Sequence, residues 1–153
     1  MTNQTSFAVI VADMDHFKRI NDVYGHASGD AVLVETAHRL ESAVRSSDMV
    51  ARIRGEEFLI LMPAADVATA RSVAHRVCQA IGSTPFNIPG AQEPVNITIT
   101  LGLAMSKTGS KSRRQPTDKV DTLLDDADKA LYAAKLQGRN RVNFSLAQAN
   151  PAA

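Results

Sequence analysis

The chain holds one cysteine, Cys78, in 153 residues. No disulfide can close within it, and a reducing cytoplasm is the expected compartment. Charge of either sign is not in excess: 17 Lys and Arg against 16 Asp and Glu leave a formal net charge of +1. No global field therefore draws the chain to a nucleic acid or a membrane surface, and any anion binding must rest on local charge. Long apolar runs are missing too. The longest near the start, Phe7 to Ala12, is far short of the roughly 20 residues a spanning helix needs, and no basic segment precedes it. Repeats, heptads and low-complexity tracts are absent. The 44 % apolar share suits one domain with one core.

Phe7 to Met14 is a β-branched-rich apolar run ended by acids, which predicts a buried central strand with its polar groups at the C-terminal tip. A short helix follows, Phe17 to Tyr24, stopped at Gly25. Leu33, Ala37, Leu40 and Val44 fall on one helical face, predicting a helix from Asp30 to Arg45. Asp48 to Arg54 and Glu57 to Met62 read as a β-hairpin turning at Gly55. Asp66 is placed to cap a helix carrying Val67, Ala70, Ala74, Val77 and Ile81. His75 and Cys78 are spaced for two metal ligands on that helix, but no third or fourth accompanies them, and packing explains both.

Val95 to Ala104 alternates as a half-buried strand does. Lys107 to Asp118 is polar, a last helix carries Leu124, Ala127, Leu131 and Ala134, and Val142 to Phe144 forms a closing strand. The tail, 146–153, is expected to be disordered. This order contains βαββαβ, which predicts an α+β, ferredoxin-like core: an antiparallel central sheet with flanking helices on one face. The first strand then lies beside the hairpin. Asp13 and Asp15 at the strand tip would face Glu56 and Glu57 at the turn, an arrangement suited to a divalent cation and phosphate chemistry. Taken singly, each acid pair is more simply explained by solubility at a strand end or a turn.

Four blocks, in order, resemble the GGDEF domain, the diguanylate cyclase family. They are Asp13-x-Asp-x-Phe-Lys-x-Ile-Asn-Asp-x-Tyr-Gly-His-x-x-Gly-Asp30, Arg45-x-x-Asp48, Arg52-x-Arg-Gly-Glu-Glu-Phe58, and Ala127-Asp-Lys-Ala-Leu-Tyr-x-Ala-Lys135-x-x-Gly-Arg139-Asn-Arg. So many spaced matches are far more specific than a lone motif. The resemblance covers 1–145 as one domain and implies a fold akin to adenylyl cyclases and the polymerase palm. It implies that two GTP molecules condense to cyclic di-GMP and two pyrophosphates in a homodimer, with Mg²⁺ or Mn²⁺ as cofactor.

Residue by residue, the resemblance implies Asp13, the Met14 carbonyl, Glu56 and Glu57 as metal ligands, with Glu56 and Lys18 catalytic. The backbone at His16 and Phe17, with Lys135 and Arg139, would hold the triphosphate. Asn21, His26 and Asp30 would take guanine and ribose, and Asp30 suits guanine because a carboxylate accepts from N1 and N2 together. Arg45 and Asp48 match the RxxD inhibitory site for cyclic di-GMP. Outside the matches, Asp30 reads as a helix N-terminal acid, His26 as a loop histidine, Lys18, Lys135 and Arg139 as surface cations, and Arg45 with Asp48 as a helix-end cation and a turn acid. The cations Lys107, Lys111, Arg113 and Arg114 read as a solvated segment.

Two departures stand out. The family's opening helix and D-x-L-T segment have no counterpart here, and Arg54 replaces the first glycine of the signature. If that position needs a left-handed backbone, Arg54 costs about 1 to 2 kcal/mol and the alternative becomes an impaired domain that binds GTP or cyclic di-GMP.

Overall fold

The computed structural model describes residues 6–106 and 116–145. The expected tail after Ser145 and the cations between 107 and 115 lie outside the described residues. In chain order the elements are β1 (Phe7–Met14), α1 (Phe17–Tyr24), α2 (His26–Ala43), β2 (Met49–Arg54), β3 (Glu57–Met62), α3 (Val67–Gly82), β4 (Ile99–Ser106), α4 (Pro116–Leu136) and β5 (Val142–Phe144). The sheet order is β2-β3-β1-β4-β5.

Its first four strands have the ferredoxin-like arrangement and pair antiparallel, as the sequence predicts. The fifth does not: β5 pairs parallel to β4, so the sheet is mixed. The reason is the connection. A helix between two strands carries the chain back to the end where the first strand began, and the next strand then runs parallel.

The helices flank both faces rather than one. Ala8, Ile10, Ala12 and Met14 of β1 join buried residues of α1, α2 and α3, while Val9 and Val11 pack with Leu123, Ala127 and Leu131 of α4. A central strand apolar on both sides demands a cover on each. The period of two then fixes the site. Asp13 has the parity of Val9 and Val11, so its carboxylate is directed to the face that α4 covers.

Several boundaries differ from the sequence reading, three of them by enough to matter here. α2 begins at His26, directly after Gly25 with φ +93°, so Asp30 sits past its first turn instead of at its N-terminus. β4 begins at Ile99: Val95 pairs only with Phe86, and the Thr98 carbonyl accepts the Asp15 N–H at 2.9 Å. α4 already includes 116–118, assigned above to the polar loop.

Gly102 is where β4 meets α4. A Cβ there would lie 2.0 Å from the Ala127 carbonyl oxygen and 2.5 Å from the Leu131 nitrogen, both backbone atoms that cannot rotate away. Gly102→Ala should push α4 off the sheet and cost about 1 to 3 kcal/mol, as overpacking does. Chemical denaturation measures this; an unchanged midpoint would mean that α4 is not seated on Gly102.

Candidate active site

The tip of β1 carries the charged groups. Asp13 is 7 % exposed. One carboxylate oxygen, Oδ2, accepts from the Lys135 ammonium of α4; the other, Oδ1, is buried and has no hydrogen-bond partner among the described residues. Burial raises the Asp13 pKa above its ordinary value; Lys135 opposes this, and the charges of Glu56 and Asp15 add to it. Buried carboxylate oxygens in native proteins are nearly always paired, so an orphan oxygen marks a place prepared for another donor or a cation.

The hairpin supplies the opposing acids. Gly55 takes φ +49° with open space around it, a left-handed position that suits glycine. The turn brings the Glu56 carbonyl to the Met14 N–H at 3.3 Å and sets Glu57 opposite Asp13 in the sheet register. Both glutamates are half-buried. Like charges directly opposite on neighbouring strands destabilise a sheet unless something positive lies between them. Met14 itself turns inward, and its sulfur accepts from the Thr36 hydroxyl at 3.3 Å.

Arg54 lies in β2 and is not among the residues with positive φ. The left-handed strain considered above does not arise. Instead a bulge between Arg52 and Arg54 sets Arg54 opposite Glu57. Its guanidinium Nε comes within 3.6 Å of a Glu57 oxygen while the side chain remains 81 % exposed. The charge of Arg54 also reaches Asp128 of α4, whose pKa is raised by burial and by Glu57 and Asp125. Arg54 thus leans across the acid cluster on a solvent-exposed arm.

The remaining predicted positions fall on nearby elements. His16 caps α1 with φ 56°, and its side chain makes no capping hydrogen bond; Phe17 behind it is core, 7 % exposed. Lys18 is exposed on the same helix. Asn21 lies at the junction with α2: a Cβ on Gly29 would sit 1.8 Å from its Oδ1, so only glycine lets the amide lie against α2 there. Asp30 and His26 are exposed on the first turns of α2. Arg139 follows the end of α4, where its N–H bonds the Ala134 carbonyl at 3.0 Å.

Arg45 and Asp48 are brought together, but onto each other. Arg45 donates to Asp48 through its backbone N–H at 2.8 Å and through Nη2 at 2.7 Å, and Nη2 also reaches the Pro63 carbonyl at 2.8 Å. The Asp48 carboxylate raises the Arg45 pKa. His75 is exposed on α3 and Cys78, half-buried, has its pKa pushed up to about 12 by burial, which suits packing.

The site fits a hard divalent cation only in part by itself. Among the described residues no three His, Cys, Asp or Glu side chains gather closely enough to hold a metal. Mg²⁺, however, is usually held by one or two carboxylates with substrate phosphates completing its shell, and the unpartnered Oδ1 of Asp13, on the strand position opposite Glu57, suits that requirement. Asp15, expected with Asp13 to face the hairpin acids, is taken up elsewhere: buried to 6 % exposure, it accepts from Thr98 and Thr100 hydroxyls, each at 2.6 Å. The Asp-x-Asp spacing was visible, but partners more than eighty positions away were not.

Fold and site together define a palm-type α+β domain with an acid-lined strand tip. A sequence profile described as "Diguanylate cyclase, GGDEF domain" matches residues 1–141, and the chain belongs to that family. The response regulator PleD of Caulobacter vibrioides is 39 % identical over 135 residues, which are 88 % of this chain and only 28 % of PleD. Among solved structures, the GGDEF domain of PA1120 (YfiN or TpbB) from Pseudomonas aeruginosa is similar with a TM-score of 0.79 and 37 % identity, covering 92 % of this chain and 82 % of that one. The GGDEF domain of DgcB from Caulobacter crescentus, in complex with c-di-GMP, has a TM-score of 0.78 at 30 % identity, covering 92 % and 78 %.

Because Arg54 occupies extended backbone, replacing it with glycine relieves no strain. Arg54→Gly should lower stability by about 0.5 to 1 kcal/mol, the usual cost of glycine within a strand. A gain in thermal or denaturant stability would contradict this placement.

Proposed function

We propose that this domain is a diguanylate cyclase, condensing two GTP into cyclic di-GMP and two pyrophosphates with two domains face to face, each holding one GTP. The observation that carries this reading is the buried Asp13 carboxylate, with one oxygen unpartnered beside the hairpin acids. Asp13, Glu56 and the Met14 carbonyl would hold Mg²⁺ or Mn²⁺, with Glu57 alongside. When bound, such an ion neutralises charge that builds on phosphate oxygens as the 3′-hydroxyl attacks an α-phosphorus and pyrophosphate leaves.

The chain's own groups then have distinct tasks. Glu56, half-buried at the turn, accepts the proton of the 3′-hydroxyl. Lys18, Lys135 and Arg139 bind triphosphate oxygens, together with the amides at His16 and Phe17, where φ 56° at His16 turns the chain tightly into α1. Asn21, His26 and Asp30 gather where α1 meets α2 and select guanine and ribose. Lys135 sits on Asp13 and turns to phosphate when the substrate arrives. Among the described residues no helix is long and apolar enough to cross a membrane; with a cytoplasmic substrate, the reading places the domain in the cytoplasm.

One observation favours a second reading, a domain that binds GTP or cyclic di-GMP without turnover. Arg54 holds Glu57, which opposes Asp13, and a bulky cation now stands where the family has glycine. At Arg45 and Asp48, cyclic di-GMP acts as inhibitor by drawing the Arg45 guanidinium away from Asp48 onto a guanine edge.

With GTP and Mg²⁺ the protein should form cyclic di-GMP, read by chromatography, and Asp13→Asn or Glu56→Gln should lower kcat/KM by at least about 10²-fold. No product from the native chain, with product restored by Arg54→Gly, would establish the second reading. Calorimetric titration of cyclic di-GMP should show its affinity lost in Arg45→Ala; equal affinity would remove the inhibitory site.

A further inference from the structure

Gly138, Arg139 and Asn140 have φ of +125°, +62° and +49°, three left-handed residues in succession, two of them not glycine. Such a run is unfavourable for L-residues and persists only where its surroundings hold it. The holding contacts are the hydrogen bonds of Asn140. Its backbone N–H donates to Asp15 Oδ2 at 3.1 Å and to the Thr100 hydroxyl at 3.0 Å. Asp15 is itself fixed by the hydroxyls of Thr98 and Thr100, at 2.6 Å each, and its own N–H bonds the Thr98 carbonyl at 2.9 Å.

We propose that Asp15 is a positioning residue that locks the strained turn after α4 to the tip of β1 and so sets Arg139 at a fixed place relative to Asp13. Asp15 lies two positions beyond Asp13 on the same strand tip, and Asn140 directly follows Arg139. One buried carboxylate therefore ties the acid end of the site to its cationic end. Asp15 touches no substrate; it acts through Arg139. The inference rests on the reading of Arg139 as a triphosphate ligand.

The test is a double-mutant cycle on binding of a non-hydrolysable GTP analogue with Mg²⁺, with guanosine as the phosphate-free control. Asp15→Ala and Arg139→Ala should each weaken the analogue about tenfold or more and leave guanosine unchanged, and the double variant should lose little beyond either one. Asp15→Asn, which keeps the shape and an acceptor for the Asn140 N–H, should bind near the native level. Tryptic cleavage after Arg139 should be faster in Asp15→Ala and unchanged in Asp15→Asn.

If Asp15→Ala fails to fold, Thr100→Val removes the hydroxyl that serves both Asp15 and Asn140 and should show the same selective loss. Additive losses, or an equal loss for guanosine, would overturn the role of Asp15. Native affinity in Arg139→Ala would overturn the triphosphate reading itself, whereas a loss there with native affinity in Asp15→Ala would overturn only the inference.

Discussion

A buried carboxylate with only one of its oxygens answered is the constraint around which this domain is arranged. Asp13 stands at the end of a strand covered on both faces, close to the charges of Glu56 and Asp15, and Lys135 is its one ion-pair partner among the described residues. Burial outweighs that partner, since the Asp13 pKa is raised rather than lowered. A carboxyl whose folded pKa lies above its unfolded value favours folding only while protonated, and that contribution is lost as pH rises through the folded value. At neutral pH the charged form therefore costs stability. A carboxyl that burial and neighbouring acids make costly to ionise makes physical sense where a cation is to be bound.

The strands and helices around Asp13 follow from that placement. Alternation along β1 sends Asp13 to the face where α4 lies, and the absent Cβ of Gly102 lets α4 come down onto β4, so that Lys135 reaches the strand tip. Asp15 then binds the turn that ends α4. Ionic and neutral contacts thus join β1, β4 and α4 at one end of the sheet, opposite the hairpin that supplies Glu56 and Glu57. Arg54 is the local variation on this scheme. It brings a positive charge to the same acids without a left-handed backbone, so no backbone strain follows from it.

Much of this was legible in the residues. The apolar run of β1, the hairpin around Gly55 and the stripe of α3 are local patterns, and their bounds agree with the structure to within about one residue. The start of β4 was not, because Val95 to Thr98 alternates as a strand does, while its bonds go elsewhere, from Asp15 to the Thr98 carbonyl and between Val95 and Phe86. The parallel edge depends on three residues, Val142–Phe144, too few for any period to announce direction. Helices on both faces could have been read from β1, apolar at every position up to Ala12. The acid cluster was legible as motif, yet the Arg45–Asp48 pairing and the Asp15 network depend on distances that no spacing in sequence conveys.

The central claim is that Asp13 and the hairpin turn share one divalent cation once nucleotide is present. Crystals grown with Mn²⁺ and a non-hydrolysable GTP analogue, measured for anomalous scattering, test it most directly. An anomalous peak about 2.1 Å from oxygens of both Asp13 and Glu56, as expected for direct coordination of a small divalent ion, with Lys135 turned onto phosphate, is the predicted result. Nucleotide density with Lys135 still on Asp13 and no peak between these carboxylates would contradict it.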